Sequence, residues 1–330
     1  PPSPPVNHIC PISAPHWLHF VLAQLPAKSL GNRSADDRRR QCVVDWPRTG
    51  TNRAWWCEVG NVKDLNEAEK PQPEVDLSEV VAVTRRLREN VEKVIEGKSD
   101  VVRLAVLVLL AEGHLLLEDV PGVGKTMLCK ALARSMECSV RRIQFTPDLL
   151  PADVTGVSIY DLESKKFEFR PGGVFANVVI GDEINRASPK TQSAMLECME
   201  EHQVTVDGTT YQLEAPFMVV ATQNPISMEG LYALPEAQLD RFMARTSMGY
   251  PLPSAEIEML SAHTSANPLD DLRAVCTGDD VGRLMSVVAQ VHVSDDVRRY
   301  AVDLATATRT SPELKLGASP RATLHLVRAA

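Results

Sequence analysis

Residues 117–126 read Leu117-Glu118-Asp119-Val120-Pro121-Gly122-Val123-Gly124-Lys125-Thr126, and this run predicts a loop that binds phosphate. The short apolar run 114–117 suits a buried strand, and Leu128, Leu132 and Met136 recur at the spacing of one helix face. A loop between a strand end and a helix start can point successive backbone N–H groups inward, and the helix terminus adds partial positive charge. The sequence therefore predicts an anion site at this turn.

The residues of the loop have separate predicted roles. Gly122 and Gly124 let the backbone approach phosphate oxygens where a Cβ atom would clash. Lys125 can reach the β- and γ-phosphates of a nucleotide, and the Thr126 hydroxyl can ligate Mg²⁺. The first glycine of the general pattern falls at Asp119, so a chance Gly-Lys-Thr turn is the alternative. The position between a strand and a helix favours the nucleotide site.

Composition limits the class of protein. A chain of 330 residues that is 44% hydrophobic is long enough for two domains with a proper core. Its net charge of −8 argues against a general nucleic-acid surface, and the apolar run 104–111 is too short to span a bilayer. No secretion signal is expected. Seven cysteines without a C-x-x-C pair indicate reduced thiols, and hence a cytoplasmic protein.

Residues 1–72 differ from the rest of the chain. They hold all four tryptophans, and proline, asparagine and serine interrupt every helix or strand period. The sequence predicts a disordered or spurious extension here. A docking arm that uses exposed tryptophan and arginine side chains is the alternative.

Ordered structure is predicted to begin near Glu74. Apolar residues at three- and four-residue steps predict a helix from Val80 to Ile95, and Ser99 is predicted to cap a second helix that ends at Glu112. Strands are predicted at residues 114–117, 141–145, 177–180 and 217–221. A helix capped by Ser188 and a hairpin at 203–213 lie between the last two of these strands.

An insertion between residues 146 and 177 is predicted to form a β-hairpin from residues 157–161 and 165–170. It ends at Pro171-Gly172-Gly173, where the backbone must turn sharply. Three aromatic residues of the hairpin either contact a partner or pack it on its own domain, and the sequence leaves both open: Tyr160, Phe167 and Phe169.

Polar residues follow two of the predicted strands. Asp182 and Glu183 come after the run 177–180, at the strand end where open α/β sheets bind ligands. Asp182 could hold Mg²⁺ directly or through water, and Glu183 could orient the attacking water. Asn224 follows the strand at 217–221, and beside the other motifs it is predicted to hydrogen-bond the γ-phosphate or that water.

The last part of the chain reads as helical. Pro235 is predicted to open a short helix that carries Asp240 and Arg241. After residue 250 the strand signals stop, and helices are predicted at residues 254–263, 279–292, 294–309 and 319–330. Arg321 lies in the first turn of the last helix, which has no stop signal. The sequence predicts a small helical domain at residues 251–330, truncated at its carboxyl end.

Five motifs in order resemble those of the MoxR family of AAA+ ATPases. They are Pro121–Thr126, Gly181–Ala187, Ala221–Pro225, Leu234–Phe242 and Gly317–Ala322, and the resemblance runs from about Glu74 to Ala330. It implies an α/β P-loop NTPase core, with a five-stranded parallel sheet flanked by helices and with β-hairpin insertions. It also implies a small α-helical lid, so that residues 73–250 bind the nucleotide and residues 251–330 cover it.

The resemblance assigns roles to single residues. ATP binding falls to Pro121, Gly122, Val123, Gly124, Lys125, Thr126 and Met127, and Mg²⁺ binding to Thr126 and Asp182. Glu183 is the predicted catalytic base and Asn224 the sensor-1 residue. Arg241 resembles the arginine finger that enters a neighbour's site, and Arg321 the sensor-2 residue.

The same resemblance implies partners. It suggests a homo-oligomer, as a hexameric ring, that matures or remodels a protein substrate or a von Willebrand A-domain partner, without nucleic acid or a membrane span. A nucleotide-gated scaffold with little turnover is the alternative. A nucleotide kinase or small GTPase fits less well, because those lack a helical lid with an arginine motif and the chain has no Asn-Lys-x-Asp.

Overall fold

The computed structural model describes residues 76–120, 122–224, 232–251, 256–257 and 268–330. The described residues belong to one compact unit, Val75–Ala330. The predicted extension at residues 1–72 and most of the helix predicted at 254–263 lie outside them.

The helices and strands follow one another in an alternating order. They are α1 (Ser78–Glu92), α2 (Ser99–Leu110), β1 (Leu115–Glu118), α3 (Lys125–Ser135), β2 (Val140–Gln144), α4 (Pro151–Thr155), β3 (Gly156–Asp161), β4 (Lys166–Pro171), β5 (Val178–Asp182), α5 (Pro189–Glu201), β6 (Gln203–Val206), β7 (Thr209–Gln212), β8 (Met218–Gln223), α6 (Glu236–Leu239), β9 (Ala244–Thr246), α7 (Gly278–Val288), α8 (Asp295–Thr310) and α9 (Pro320–Ala329). A short 3₁₀ turn, Ile184–Arg186, follows β5.

Five of the strands form a single parallel sheet in the order β2-β5-β8-β1-β9. Its central strands are almost wholly buried, as sheets covered by helices on both faces require. Four of these strands are close to their predicted positions. The fifth, β9, was not predicted, because it is three residues long and carries Arg245 and Thr246. The α/β class with a parallel sheet is thus confirmed.

Two apolar cores lie on opposite faces of the sheet. Leu115 and Leu117 of β1 point into the core formed with α1, α2 and α3, and Leu116 points into the core formed with α5. This alternation is the two-residue period of a strand. The first core continues to Leu269 and Leu284, so the chain after β9 packs against the same helices. Of the helices in the described residues, none is long and apolar enough to cross a membrane.

Both predicted hairpins are present, as β3–β4 and β6–β7. Phe169 stacks on Tyr211 with ring centroids 3.8 Å apart, which joins the two hairpins. Tyr160 and Phe167 contact each other edge to face and stay exposed. One aromatic residue of the insertion therefore packs within the domain and two do not. The short helix α4, which precedes the insertion, was not predicted.

Helix caps were predicted with mixed success. Ser188 and Ser319 accept hydrogen bonds from the backbone N–H groups of Thr191 and Ala322, as expected for residues that precede a proline at the first helical position. The prediction for Ser99 was wrong. Lys98 is the N-cap of α2, and Ser99 already lies inside the helix. That helix also ends at Leu110, before the predicted Glu112.

A buried asparagine joins three separate parts of the chain. The amide of Asn90 in α1 donates to the Ser135 hydroxyl at 2.9 Å and to the Arg273 carbonyl oxygen at 2.8 Å. Ser135 ends α3, and Arg273 lies in the segment before α7. Since buried polar groups are costly to leave unpaired, this asparagine fastens the helical end of the chain to the first core.

We expect Asn90→Ala to lower the free energy of unfolding by about 1–3 kcal/mol, because the Arg273 carbonyl and the Ser135 hydroxyl each lose a partner. Chemical denaturation would measure the loss. Glu89→Ala, at the exposed neighbouring position, is the matched control and should change stability little. Equal stability of the two variants would contradict this role for Asn90.

Candidate functional site

The phosphate loop lies between β1 and α3, as predicted. Gly122 and Gly124 have φ angles of 87° and 93°, a left-handed conformation that side chains disfavour. Gly124 is the N-cap of α3, so Lys125, Thr126 and Met127 form the first turn of the helix. Pro121 lies outside the described residues. The loop therefore directs its backbone N–H groups along the start of a helix, the arrangement that binds anions.

Asp119 replaces the first glycine of the general pattern and has its own role in the loop. Its carboxylate accepts hydrogen bonds from the N–H groups of Val120, at 2.8 Å, and Gly249, at 2.5 Å. Its own N–H donates to the Gln223 carbonyl oxygen at 3.1 Å. The departure thus adds contacts: Asp119 ties the loop to β8 and to the segment after β9.

Lys125 is buried beneath the loop. Its ammonium group donates to the Asp119 carbonyl oxygen at 2.8 Å. Burial lowers the pKa of Lys125 because it disfavours the charged form, and nearby carboxylates, Asp182 foremost, oppose part of that shift. A buried cation with few ligands is well suited to receive an anionic group.

Asp182 ends β5, and a threonine of the neighbouring strand holds it. The Thr222 hydroxyl donates to Asp182 Oδ1 at 2.6 Å. Arg142, on the edge strand β2, donates to Asp182 Oδ2 from Nη2 at 2.6 Å and from Nε at 3.1 Å. Both carboxylate oxygens are therefore fixed in direction.

Glu183 follows directly and has an unusual backbone. Its φ and ψ angles are 57° and 48°, a left-handed conformation that costs energy for a residue other than glycine. Its N–H donates to the Thr222 hydroxyl at 3.0 Å. Its Oε2 accepts hydrogen bonds from Gln144 at 3.1 Å and from Arg186 at 2.8 Å. These contacts hold the carboxylate at the same edge of the sheet as Asp182.

Asn224 comes directly after β8, at the strand end that lies beside the acids. The Asn185 amide donates to the Asn224 carbonyl oxygen at 3.4 Å. Since β8 pairs with both β1 and β5, its end lies between the phosphate loop and Asp182. The residue predicted as sensor 1 thus shares one sheet edge with the predicted loop and acids.

Arg241 and Arg321, the predicted finger and sensor-2 residues, lie together in a separate cluster. Both donate to the carboxylate of Glu200 in α5, Arg241 through Nε at 2.9 Å. The ion pairs of both arginines within the described residues are with Glu200 and Asp240, and neither pairs with Asp182 or Glu183. Arg241 was predicted to lie on the short helix, which was wrong, because α6 ends two residues before it.

Four residues of these clusters were not predicted from the sequence. They are Arg142, Gln144, Glu200 and Thr222. Thr222 carried a signal, since it is a buried hydroxyl in an otherwise apolar strand two residues before Asn224. The other three are ordinary charged or polar residues in the sequence, and their partners become visible only in the folded chain.

Comparisons with known proteins agree with this geometry. Residues 114–244 match a family described as ATPases associated with various cellular activities (AAA). The uncharacterized protein YeaC of Bacillus subtilis is 52% identical over 73% of this chain and 76% of its own length. Chaperone MoxR1 of Mycobacterium tuberculosis is 41% identical over 77% of this chain and 69% of its own length. The crystal structure of a proposed ATPase from Cytophaga hutchinsonii superposes with a TM-score of 0.68 at 37% identity, covering 77% of this chain and 82% of that one.

A five-stranded parallel sheet with a glycine loop after its first strand and two acids after its third defines a P-loop ATPase of the AAA+ type. With relatives of this identity and coverage, the chain belongs to the MoxR family of AAA+ ATPases. The resemblance stated from its motifs is confirmed.

We expect Thr222→Val to lower ATP turnover by about 10–100-fold, the usual effect of removing a group that orients a functional side chain. The substitution keeps the shape of the side chain but removes the hydroxyl that Asp182 and Glu183 share. Phosphate release would measure turnover, and thermal denaturation would verify folding. Thr246→Val, at the end of β9, is the control. Wild-type turnover in Thr222→Val would show that the bridge is dispensable.

Proposed function

We propose that this chain binds ATP and Mg²⁺ at the phosphate loop and hydrolyses ATP. The observation that supports this most is the single sheet edge shared by Lys125, Asp182 and Glu183, with the Thr222 hydroxyl linking the two acids. We further propose that residues 73–250 form the nucleotide-binding domain and that residues 251–330 form its lid.

The loop residues supply the binding energy in this proposal. The left-handed Gly122 and Gly124 leave backbone N–H groups free of side-chain obstruction, and the start of α3 adds its dipole. Lys125 can exchange its hydrogen bond to the Asp119 carbonyl for one to a phosphate oxygen. The buried ammonium would then recover the charge partner that burial makes valuable.

Mg²⁺ fits the donor set at this edge. The ion favours oxygen ligands, and it is typically held by one or two protein side chains together with substrate phosphates and water. Thr126 in the first turn of α3 and Asp182 at the end of β5 supply a hydroxyl and a carboxylate. Bound there, the ion would neutralise charge on the phosphates. Thr222 and Arg142 keep the Asp182 carboxylate from turning away.

Glu183 is the proposed base that orients the attacking water. Gln144 and Arg186 hold its Oε2, and the second oxygen, Oε1, is the one left to meet water. A carboxylate held at its usual pKa is a weak base, so its main effect would be to position the water. Asn224, at the end of β8, is the proposed partner for the γ-phosphate or for that water.

Assembly into a homo-oligomeric, hexameric ring is proposed on the strength of Arg241. This arginine pairs with Glu200 and does not contact its own acids, so it is available to act elsewhere. An arginine that reaches a neighbour's γ-phosphate is worth roughly 10³–10⁵ in rate where it acts. An ATP-gated scaffold with little turnover stays the second candidate.

A chaperone-like role is proposed from the relatives. Chaperone MoxR1 of Mycobacterium tuberculosis carries that role in its name. By family resemblance the partners would be a protein substrate or a von Willebrand A-domain protein, without nucleic acid. A cytoplasmic location is supported by the described cysteines, Cys129, Cys138, Cys198 and Cys276, all of which are free thiols.

Two variants test the hydrolysis site directly. Glu183→Gln should bind ATP and assemble but hydrolyse it orders of magnitude more slowly, because it removes the carboxylate and leaves the loop intact. Lys125→Ala should weaken ATP binding itself. Equilibrium binding of a fluorescent ATP analogue, together with phosphate release, separates the two effects. Near-normal turnover in Glu183→Gln would remove it as the base, and negligible turnover of the wild type would favour the scaffold.

A mixture of variants tests whether the active site is shared between subunits. Lys125→Ala and Arg241→Ala should each be inactive alone, since one lacks the phosphate lysine and the other the finger. Mixed and co-assembled, they should recover part of the wild-type turnover, because some interfaces combine an intact loop with an intact arginine. If turnover is absent at every mixing ratio despite co-assembly, Arg241 is not the finger, and Arg186 and Arg245 become the candidates.

A further inference from the structure

Glu200, at the end of α5, lies between two arginines that are far apart in the sequence. Its Oε2 accepts a hydrogen bond from Arg241 Nε at 2.9 Å, and its Oε1 accepts one from Arg321 Nη2. Each carboxylate oxygen therefore binds a different arginine. The two arginines come from the segment after α6 and from the first turn of α9.

Asp240 ties the same two segments together a second time. Its Oδ1 accepts a hydrogen bond from the Ser319 hydroxyl at 2.6 Å, and its Oδ2 lies 3.6 Å from Arg321 Nη1. Ser319 is also the N-cap of α9. The start of the last helix is thus fastened to the residue next to Arg241, and the two guanidinium groups cannot move independently.

Charge explains why a carboxylate is needed at this point. Two guanidinium groups held close together repel each other, and Glu200 neutralises part of that repulsion. The hydrogen bond from Arg241 and the charge of Arg321 lower the pKa of Glu200 below its ordinary value. The planar fork of each guanidinium keeps its other N–H groups available while one edge binds Glu200.

We propose that Glu200 is a positioning residue, which holds Arg241 and Arg321 as one cationic unit directed at the same nucleotide. The proposal rests on the shared active site proposed above. If Arg241 serves the neighbouring subunit's ATP, then Arg321, bound to the same carboxylate, serves that ATP too. Glu200 acts through the arginines and does not itself touch the nucleotide.

The first test compares two adjacent glutamates. Glu200→Ala should lower kcat by about 10–100-fold, the range typical for groups that orient functional side chains, and should change KM for ATP less than kcat. Glu201→Ala, at the exposed next position, is the matched control and should keep wild-type kinetics. Wild-type kcat in Glu200→Ala would overturn the proposal. So would a rise in kcat, which would mean that Glu200 restrains the arginines.

The second test uses mixtures, because a merely structural role would not depend on the partner variant. Glu200→Ala mixed with Lys125→Ala should recover turnover, since its intact loop can meet the intact arginines of the other subunit. Glu200→Ala mixed with Arg241→Ala should recover none, because both lesions are on the same side of the interface. Arg321→Ala should follow the same pattern. Recovery in the second mixture would overturn the proposal.

Two controls keep the outcomes distinct. The mixture of Lys125→Ala with Arg241→Ala reports on the shared site alone, so its failure would remove both the shared site and the role of Glu200. Its recovery, with failure of the Glu200→Ala mixture, would overturn only the role of Glu200. Should Glu200→Ala fail to fold, Glu200→Gln preserves the side-chain size while removing the charge, and the same mixtures apply.

Discussion

The parallel register between β5 and β8 places Gly181 beside Ala221, and the arrangement of the acids depends on that pairing. With this register Asp182 and Thr222 meet at the carboxyl ends of adjacent strands. A slip of one residue would turn every side chain of one strand to the opposite face, separating the hydroxyl from the carboxylate. A Cβ atom at Gly181 would lie 3.1 Å from the Phe145 ring, so a small residue lets the sheet pack closely there.

Unfavourable free energy is concentrated at the same edge of the sheet. Glu183 has a left-handed backbone, and Lys125 is a cation buried from water. Each is held by several neighbours, Glu183 by Thr222, Gln144 and Arg186. Such local cost persists only where surrounding contacts fix it, and it marks places where a ligand can be bound with a gain. The rest of the sheet, apolar and regular, provides the stability that offsets this cost.

Local patterns in the sequence predicted most of the fold. The glycine loop, the apolar strands and the serine caps depend on residues within a few positions of one another, and these were largely found. β9 was missed because three residues with two polar side chains carry no strand period. The Glu200 cluster was missed for a different reason. Its members become neighbours only when α5, the segment after α6 and α9 pack together, which no local pattern reports.

The strand order has a consequence for the synthesis of the chain. β1 lies between β8 and β9, and Leu115 pairs with Val220 on one side and Ala244 on the other. A ribosome releases β1 long before either neighbour exists, since synthesis proceeds at about 5–20 residues per second. During that interval both edges of an apolar strand are open to other chains, a known route to aggregation. Helices α1, α2 and α3, which emerge around β1, cover one face of the strand while its edges wait. The yield of folded protein therefore depends on how quickly the second half of the sheet is delivered.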